Sequence, residues 1–383
     1  MKYLKSLKKL NPFVSVASEG LVSDVISYID TGSYLFNAQI SRSIFNGIPA
    51  NRIVIFAGPP SAGKTYLTLT VLKSFLLNHP ENVVLYYDTE NAIETRQLKS
   101  MDIATDRFYH IPIKTLEDFK LQSSTILSEI RKDRESKKDN ESSGNVYIVL
   151  DSLGMAASSK EIEDSLDGKN KADMGVRGKL IRSIFRILTL ELGLLQIPMI
   201  CTTHTYESLT PYKPTGLSGG LGPQFSGSIV IELTVKKDYN KLTKNVNGII
   251  ITSNLRKSRL SKQNTKVQLK LSYGGGLDKY YGLVDFCLDH GIFKKDGRKI
   301  LIGNDRVYKE EIEKEPTKFF TDDILNQIDQ ITQEYFDYGF DSDVTIDDVK
   351  TGKESVDDAN LDDIELDDFD EKDLDDIDAE EEL

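Results

Sequence analysis

The chain has 383 residues, of which 39% are hydrophobic, and it carries a net charge of −13 at pH 7. This composition is typical of a soluble globular protein with one large core and some appendages. It excludes a membrane-spanning protein, because no apolar run approaches roughly 20 residues, and it excludes a disulfide-rich domain. The two cysteines, Cys201 and Cys287, are expected to be buried thiols, and the N-terminus lacks a signal core, so we expect a cytoplasmic protein.

The charge is unevenly distributed along the chain. Residues 341–383 contain 21 acidic side chains against three lysines, a local charge of −18, which leaves +5 for the first 340 residues. A mildly basic body with an acidic tail is typical of nucleic-acid-binding proteins, in which the tail competes with phosphates for basic surface. The alternative is a solvated, disordered tail without a regulatory role.

A phosphate-binding loop follows a predicted buried strand that begins at Ile53. Residues 58–65 read GPPSAGKT, which satisfies G-x-x-x-x-G-K-[ST], and a predicted helix over 66–77 follows. The glycines let backbone N–H groups converge on phosphates, and the helix adds its positive dipole end. We expect Lys64 to reach the β and γ phosphates and Thr65 to bind Mg²⁺. The predicted nucleotide contacts are Gly58, Pro59, Pro60, Ser61, Ala62, Gly63, Lys64, Thr65 and Tyr66.

Three later strands also end in chemically useful side chains. The strand predicted over 82–88 leads into Glu90, the strand over 146–150 closes on Asp151, and the strand over 198–203 ends in His204. Ligands bind open α/β sheets at the carboxyl ends of the strands. Asp151 fits a Mg²⁺ site completed by Thr65 and water, although many buried strands end in Asp. His204 has either a structural role or a role in sensing the nucleotide.

Basic and glycine-rich stretches separate these strands. Residues 154–175 show almost no apolar periodicity, and the helix predicted over 175–190 carries four basic side chains. These are Arg177, Lys179, Arg182 and Arg186. The glycine-, proline- and tyrosine-rich residues 205–228 form a loop so long that it is either functional or disordered. Two more strands are predicted over 229–236 and 248–254, after which the charged residues 256–259 interrupt the strand pattern.

The ordered set of motifs resembles the RecA family of homologous-recombination strand-exchange proteins, most closely its phage UvsX-type branch. The resemblance runs from about Asp30 to Phe293 through DTGS, GIPANRIV, AGPPSAGKT, YYDTENA, VYIVLDS, TTHTYE, SGG and RKSR. It implies an α/β RecA-type P-loop ATPase core with a mainly parallel twisted sheet flanked by helices, and ATP and Mg²⁺ as cofactors. The implied segments are a short N-terminal arm over 1–29 that can supply a subunit contact, the core over 30–294, a small region over 295–340 and a disordered acidic tail over 341–383.

The resemblance also implies roles for individual residues. Glu90 would position and polarise the attacking water, Asp151 would serve Mg²⁺, and His204 would sense the γ-phosphate where RecA has a glutamine. Lys257 and Arg259 match a basic pair that family members insert onto the neighbouring subunit's ATP, although as an isolated pair they would more often be surface charge.

Two loops that hold DNA in the family correspond to about residues 158–178 and 205–226. Basic side chains neutralise phosphates, glycine amides donate to them, and aromatic rings stack on bases without reading sequence. The implied DNA contacts are Met174, Gly175, Lys179, Arg186, Tyr206, Ser218, Gly219 and Gly220. The chain departs from the family at Gln97, next to Arg96, where relatives commonly have a tyrosine near the adenine. The short arm also does not match the polymerisation helix of bacterial RecA.

The implied function is that of a DNA-dependent ATPase that forms helical filaments on single-stranded DNA and exchanges strands with homologous duplex DNA in recombination, replication and repair. Its implied partners are both DNA forms, further copies of the chain, a single-strand-binding protein and a loading mediator, in the host cytoplasm if a phage encodes it. Two alternatives remain. A ring helicase motor needs an extra domain, for which the arm leaves no room; an ATP-binding mediator would not need the intact Thr65, Glu90 and Asp151.

Overall fold

Runs of apolar and β-branched residues form the centre of the fold. The segment IVIFA at Ile53–Ala57 is buried at every position, as a parallel strand covered on both faces requires. The computed structural model describes residues 7, 9–11, 13–136, 144–168, 174–206, 216–217, 227–239 and 244–338.

The strands of the described residues are β1 (Tyr28–Ile29), β2 (Ile48–Pro49), β3 (Ile53–Ala57), β4 (Val83–Asp88), β5 (Phe108–Pro112), β6 (Val146–Asp151), β7 (Met199–Thr203), β8 (Thr205–Tyr206), β9 (Gly216–Leu217), β10 (Ile229–Tyr239), β11 (Val246–Lys257), β12 (Lys266–Ser272), β13 (Gly276–Leu277), β14 (Lys294–Asp296), β15 (Lys299–Ile302) and β16 (Asp305–Val307). The α-helices are α1 (Tyr34–Ser41), α2 (Lys64–Asn78), α3 (Thr95–Ser100), α4 (Leu116–Ser136), α5 (Ser159–Leu166), α6 (Met174–Leu194), α7 (Leu283–Asp289), α8 (Lys309–Lys314), α9 (Pro316–Phe319) and α10 (Asp322–Tyr335). None of these helices is both long and apolar enough to cross a membrane.

The main sheet has nine strands in the order β13-β12-β11-β10-β3-β7-β6-β4-β5. The strands from β10 to β5 pair in parallel, and β11, β12 and β13 extend the sheet beyond β10 with antiparallel pairs. The expectation of a mainly parallel sheet is therefore confirmed. Because β3, β7, β6 and β4 are neighbours and run in the same direction, the residues after their last positions meet at one edge of the sheet.

Helices cover both faces of this sheet. Val54 and Phe56 of β3 pack in a core cluster with α1 and α2, whereas the alternate residues Ile53 and Ile55 pack in a second cluster with α4 and α6. Cys201 and Cys287 are free thiols buried in these clusters, as the sequence indicated.

Two segments differ from the sequence prediction. Strand β11 continues through Arg256 and Lys257, where charge was expected to interrupt it, because the Arg256 guanidinium forms a 2.6 Å ion pair with Glu232 on β10. Residues 159–166, which lie in the stretch without apolar periodicity, form helix α5. Its start is stabilised by a capping box in which the side chains of Ser158 and Glu161 each accept a hydrogen bond from the other residue's backbone N–H.

The region after the main sheet forms a three-stranded antiparallel sheet, β14-β15-β16, followed by α8, α9 and α10. It packs directly on the core. The carboxylate of Asp329 on α10 accepts hydrogen bonds from the Ser43 hydroxyl at 2.6 Å and from the Ile44 N–H at 2.8 Å. Ile328 is fully buried in the same core cluster as α1 and α2.

Candidate nucleotide-binding site

The phosphate loop joins the end of β3 to the start of α2 through a tight turn. Ser61 and Gly63 both have positive φ angles, of 59° and 85°. The φ angle favours glycine at position 63, and a Cβ atom there would also lie 2.7 Å from Cδ1 of Ile251, whose side chain would have to move. The turn leads directly into the start of α2, and the backbone N–H groups at the start of a helix are suited to bind phosphate.

Lys64 folds its side chain back onto this loop. It is only 7% exposed, and its ammonium donates to the carbonyl oxygens of Gly58 at 3.0 Å and Pro59 at 2.9 Å. Burial lowers the pKa of Lys64, while the nearby carboxylates of Glu90 and Asp151 act in the opposite direction. The side chain is therefore a buried cation held by neutral acceptors, which favours the entry of an anion.

Asp151, at the end of β6, connects the loop to the sheet. It is 5% exposed and accepts hydrogen bonds from the hydroxyls of Thr65 at 2.9 Å, Tyr86 at 2.5 Å and Thr202. Burial raises the pKa of Tyr86, which keeps its hydroxyl protonated as a donor. Sequence reasoning did not find Tyr86 or Thr202, because neither belongs to a motif and only the pairing of the strands brings them to Asp151.

The Thr65 hydroxyl and the Asp151 carboxylate fit a Mg²⁺ ion. Mg²⁺ prefers hard oxygen ligands and commonly takes one or two from the protein and the rest from phosphates and water. Over the part of the chain that the structure describes, no group of three or more His, Cys, Asp or Glu side chains forms a complete metal site. The protein thus offers a partial set of ligands that a nucleotide would complete.

Glu90 and His204 form a second layer beside the loop. The Glu90 carboxylate accepts a 2.5 Å hydrogen bond from the Ser152 hydroxyl and lies 3.2 Å from Nε2 of His204. The other ring nitrogen of His204, Nδ1, lies 3.5 Å from the Lys64 ammonium. The imidazole therefore bridges the buried lysine and the carboxylate. Strand β8 begins at the next residue, Thr205.

The predicted residues line a cleft of about 620 Å³. Its walls include Lys64, Thr65, Glu90, Asp151 and His204, so the structure brings these five side chains together. Of the other predicted nucleotide contacts, Pro60, Ser61, Ala62, Gly63 and Tyr66 also line the cleft, and Gly58 and Pro59 face Lys64 through their carbonyl groups.

The cleft has lining residues that the sequence did not indicate. Lys236 and Lys237 of β10 stand at it, and the exposed ring of Tyr273 lies between it and an adjoining cleft of about 760 Å³. The two clefts also share Tyr66, so a ligand with its phosphates on the loop has room for a nucleoside beyond them. Gln97, on α3, lines neither cleft.

The basic pair Lys257 and Arg259 lies at the opposite edge of the sheet. Lys257 pairs with Val230 near the start of β10, and β10 begins beside the start of β3, whereas the phosphate loop follows the end of β3. The length of β3 separates the two edges by about 15 Å. Burial lowers the pKa of Lys257, and the charge of Arg259 lowers it further. The structure therefore does not bring this pair to the cleft of its own chain.

Arg259 lines a separate groove of about 490 Å³ together with Arg52 and Arg186. The burial of Arg52 and the charge of Arg259 both lower the pKa of Arg52, as expected for two cations close together. The groove gathers positive charge at the edge of the sheet that lies away from the phosphate loop.

The predicted DNA contacts are only partly within the described residues. Lys179 and Arg186 are exposed on α6, about 10 Å apart along its axis, and Gly175 is exposed near its start. Arg177 is different, because it donates to the carbonyls of Leu153 at 2.9 Å and of nearby residues and so anchors the segment after β6. Only the backbone is described for Met174 and Tyr206, and Ser218, Gly219 and Gly220 lie outside the described residues.

Comparison with known proteins agrees with this geometry. No family model matches the chain. The chain is 32% identical over 261 residues to the recombination and repair protein of Enterobacteria phage T4, a segment that covers 68% of this chain and 63% of the T4 protein. It is 24% identical over 284 residues to the RecA protein of Tropheryma whipplei, covering 74% of this chain and 60% of that protein. A RecA protein of Thermus thermophilus is 23% identical over 275 residues, covering 71% and 74%.

The chain belongs to the RecA family. The α/β architecture is that of a RecA-type core, as the sequence resemblance implied. The chain spans about 60% of the length of the first two relatives, the T4 protein and the Tropheryma whipplei RecA protein.

Proposed function

We propose that this RecA-family chain is an ATP-dependent DNA strand-exchange protein, which polymerises on single-stranded DNA, pairs it with homologous duplex DNA and exchanges strands in recombination, recombination-dependent replication and repair. One observation carries the proposal. A phosphate loop, the adjacent oxygen atoms of Thr65 and Asp151 and a Glu90–His204 pair share one cleft, and the chain runs from His204 directly into residues 205–226. Membership of the family supports both the activity and the DNA substrate.

The cleft is suited to ATP with Mg²⁺. Lys64 and the loop N–H groups would bind the β and γ phosphates, and Thr65 and Asp151 would hold the metal ion. Mg²⁺, when bound, neutralises charge that develops on the phosphate oxygens. The loop already holds Lys64 within the cleft, so a phosphate needs only to replace the weaker carbonyl acceptors of Gly58 and Pro59.

Glu90 is the residue suited to activate the attacking water. Its carboxylate is fixed by the Ser152 hydroxyl and by His204, and it lines the cleft without contacting Thr65 or Asp151 through any described hydrogen bond. A carboxylate so placed can orient water for in-line attack and accept its proton, with no covalent intermediate.

His204 is suited to report the state of the cleft. Its ring contacts both Lys64 and Glu90, and its backbone leads into the segment that the resemblance assigns to DNA. A γ-phosphate that engages Lys64 would change the partners of the ring, and the change would pass to residues 205–226. This provides a physical route by which nucleotide binding sets the affinity for DNA.

The position of Lys257 and Arg259 supports a role for the pair on a second copy of the chain. If these cations stabilise the charge of phosphoryl transfer, they must act on the cleft of a neighbour, because the sheet separates them from their own cleft. Contacts between opposite faces of identical chains are head-to-tail, and they produce helical filaments or closed rings. Hydrolysis and self-association are thereby coupled.

The DNA contacts we propose are Met174, Gly175, Lys179, Arg186, Tyr206, Ser218, Gly219 and Gly220. Lys179, Arg182 and Arg186 are exposed at a spacing of three and four residues, so they share one face of α6, on which phosphates could be neutralised. A single-strand-binding protein and a loading mediator are the further partners we propose.

Negative-stain microscopy of the protein with single-stranded DNA and a non-hydrolysable ATP analogue tests the proposal. Long helical filaments that need both the DNA and the analogue are the expected result. Closed rings would instead favour a helicase motor. Short patches of protein on the DNA, without continuous filaments, would favour a mediator.

A further inference from the structure

The backbone of Glu90 is held by a buried carboxylate that does not line the cleft. Asp88, the last residue of β4, is 3% exposed, and its Oδ1 accepts hydrogen bonds from the N–H groups of Glu90 at 2.8 Å and Asn91 at 2.7 Å. Asn91 has a positive φ of 53°, so the chain turns sharply just after Glu90. The carboxylate of Asp88 thus fixes the turn from which the Glu90 side chain projects.

The second oxygen of Asp88 is held by the edge strand of the sheet. Nε2 of His110, on β5, lies 2.9 Å from Oδ2 of Asp88, and the imidazole is one-third exposed at the sheet edge. His110 and Asp88 are absent from the lining of both clefts. The contact therefore serves the turn and does not touch the ligand space.

Thr89 secures the same turn from the other side. Its hydroxyl donates to the carbonyl of Ser152 at 2.8 Å and accepts from the Ser152 N–H at 2.9 Å, which joins the turn to the end of β6. Ser152 also donates to the Glu90 carboxylate. Thr89 lies between β4 and β6, where a substitution would disturb both strands. His110 contacts Asp88 from the partly exposed edge of the sheet, so it can be substituted with little disturbance.

We propose that His110 is a positioning residue for hydrolysis, which acts through Asp88 on the backbone turn that carries Glu90. The inference rests on the proposed function of Glu90. Without the Nε2–H donor, a nearly fully buried carboxylate loses a charge-assisted hydrogen bond, and its orientation is then fixed less firmly, so Oδ1 holds the two N–H groups with more freedom of movement. Glu90 then occupies several positions, and a displacement of about 1 Å at a catalytic group can cost about 100-fold in rate.

Two substitutions of His110 separate this role from simple packing. His110→Phe keeps a ring in the same space but removes the donor, whereas His110→Gln keeps an N–H donor at about the position of Nε2. Tyr109→Ala, at an exposed neighbour on the same strand, is the control for disturbance of the sheet edge. The measurements are kcat and KM for ATP with saturating single-stranded DNA, the thermal midpoint, and DNA binding with a non-hydrolysable ATP analogue.

We expect His110→Phe to lower kcat by about tenfold while KM and DNA binding stay within about twofold, because the residues that bind phosphate are untouched. His110→Gln should recover at least about half of the kcat, and Tyr109→Ala should retain it. If His110→Phe does not fold, His110→Leu replaces it in the same comparison.

The inference would be overturned if His110→Phe kept the wild-type kcat. It would also be overturned if His110→Phe and His110→Gln lowered kcat equally. A rise in KM with kcat unchanged would also overturn it, because that result means that His110 serves binding. The two failures are distinguishable by the wild-type protein. If it does not hydrolyse ATP, the proposed function fails and this inference fails with it; if it does hydrolyse ATP and His110→Phe is as active, only this inference fails.

Discussion

Thr65 and Asp151 are joined by a 2.9 Å hydrogen bond across the carboxyl edge of the sheet, although 86 positions separate them in the chain. The bond holds the first turn of α2 against the end of β6. The fold itself therefore holds the two oxygen atoms that suit a metal ion next to each other. We expect substitutions in this cleft to lower the rate of ATP hydrolysis more than they lower the stability of the fold.

Lys64→Ala should reduce ATP hydrolysis by at least about 100-fold and abolish D-loop formation together with it, because the cation that faces the phosphates is lost. The thermal midpoint of the ligand-free protein should not fall, since burial lowers the pKa of Lys64 and its ammonium therefore costs folding free energy. Lys266→Ala, at an exposed position of β12, is the control. D-loop formation that survives in Lys64→Ala would contradict the assignment of the phosphate loop.

Mixing two inactive variants should restore hydrolysis if the basic pair acts on a neighbour. Glu90→Gln has a defective cleft and an intact basic pair. The double variant Lys257→Ala/Arg259→Ala has an intact cleft and lacks the basic pair. In an equal mixture about one junction in four joins an intact cleft to an intact pair, so we expect up to about a quarter of the wild-type rate.

The matched control for this mixture is Glu90→Gln with Lys64→Ala. Both defects then lie in the cleft, so no junction contains an intact cleft, and the mixture should stay inactive. Restoration in the control would show residual activity of the variants. A failure of restoration in the test mixture, with copolymers visible by microscopy, would contradict action on a neighbour.

The thiols of Cys201 and Cys287 should not react with a disulfide reagent in the folded protein at pH 8. Burial raises the pKa of Cys287 from 9.0 to about 12, and burial raises the pKa of Cys201 as well. A disulfide reagent should label neither native thiol and both in denaturant.

The same shift predicts a dependence of stability on pH. Because the unfolded Cys287 thiol ionises near pH 9 and the folded one does not, its contribution to stability is complete below pH 9 and is lost as the pH rises from 9 to 12. The difference in unfolding free energy between the wild type and Cys287→Ala should shrink over that range. Labelling of one native thiol at pH 8, or a difference that stays constant with pH, would contradict the burial.

Deletion of residues 341–383 should strengthen binding to duplex DNA. The deletion removes a local charge of −18 from a chain whose other residues carry +5. Fewer competing carboxylates should also make binding less sensitive to added anions. Titrations of the full and shortened chains at several salt concentrations measure both effects, and superimposable curves would mean that the tail does not compete with DNA.

The sequence predicted the part of the site that depends on local pattern. The eight-residue spacing from Gly58 to Thr65 defines a strand-loop-helix unit by itself, and strand ends in a parallel sheet meet at one edge, so Glu90, Asp151 and His204 could be placed with it. Which further side chains reach them depends on strand order and register. The donors Tyr86 and Thr202 to Asp151 and the Asp88–His110 contact arise only after β4, β5, β6 and β7 pair, and no local pattern encodes that pairing.

The same limit explains the error in the predicted end of β11. Arg256 and Lys257 looked like a break because charge is rare inside a strand, yet Glu232 on the paired strand compensates Arg256. The position of Lys257 and Arg259 at the other edge of the sheet also follows from strand pairing, and their action on a neighbouring subunit's ATP stays a prediction.

That separation gives an assembly two unlike ends. In a proposed row of n copies, the copy at one end presents a cleft with no cations against it, and the copy at the other end presents cations with no cleft to serve. Only n − 1 complete reaction centres exist, so turnover per copy would climb with polymer length, and loss of subunits would start preferentially from one terminus. If the chain polymerises on DNA as we propose, the placement of these two side chains would give the polymer a direction.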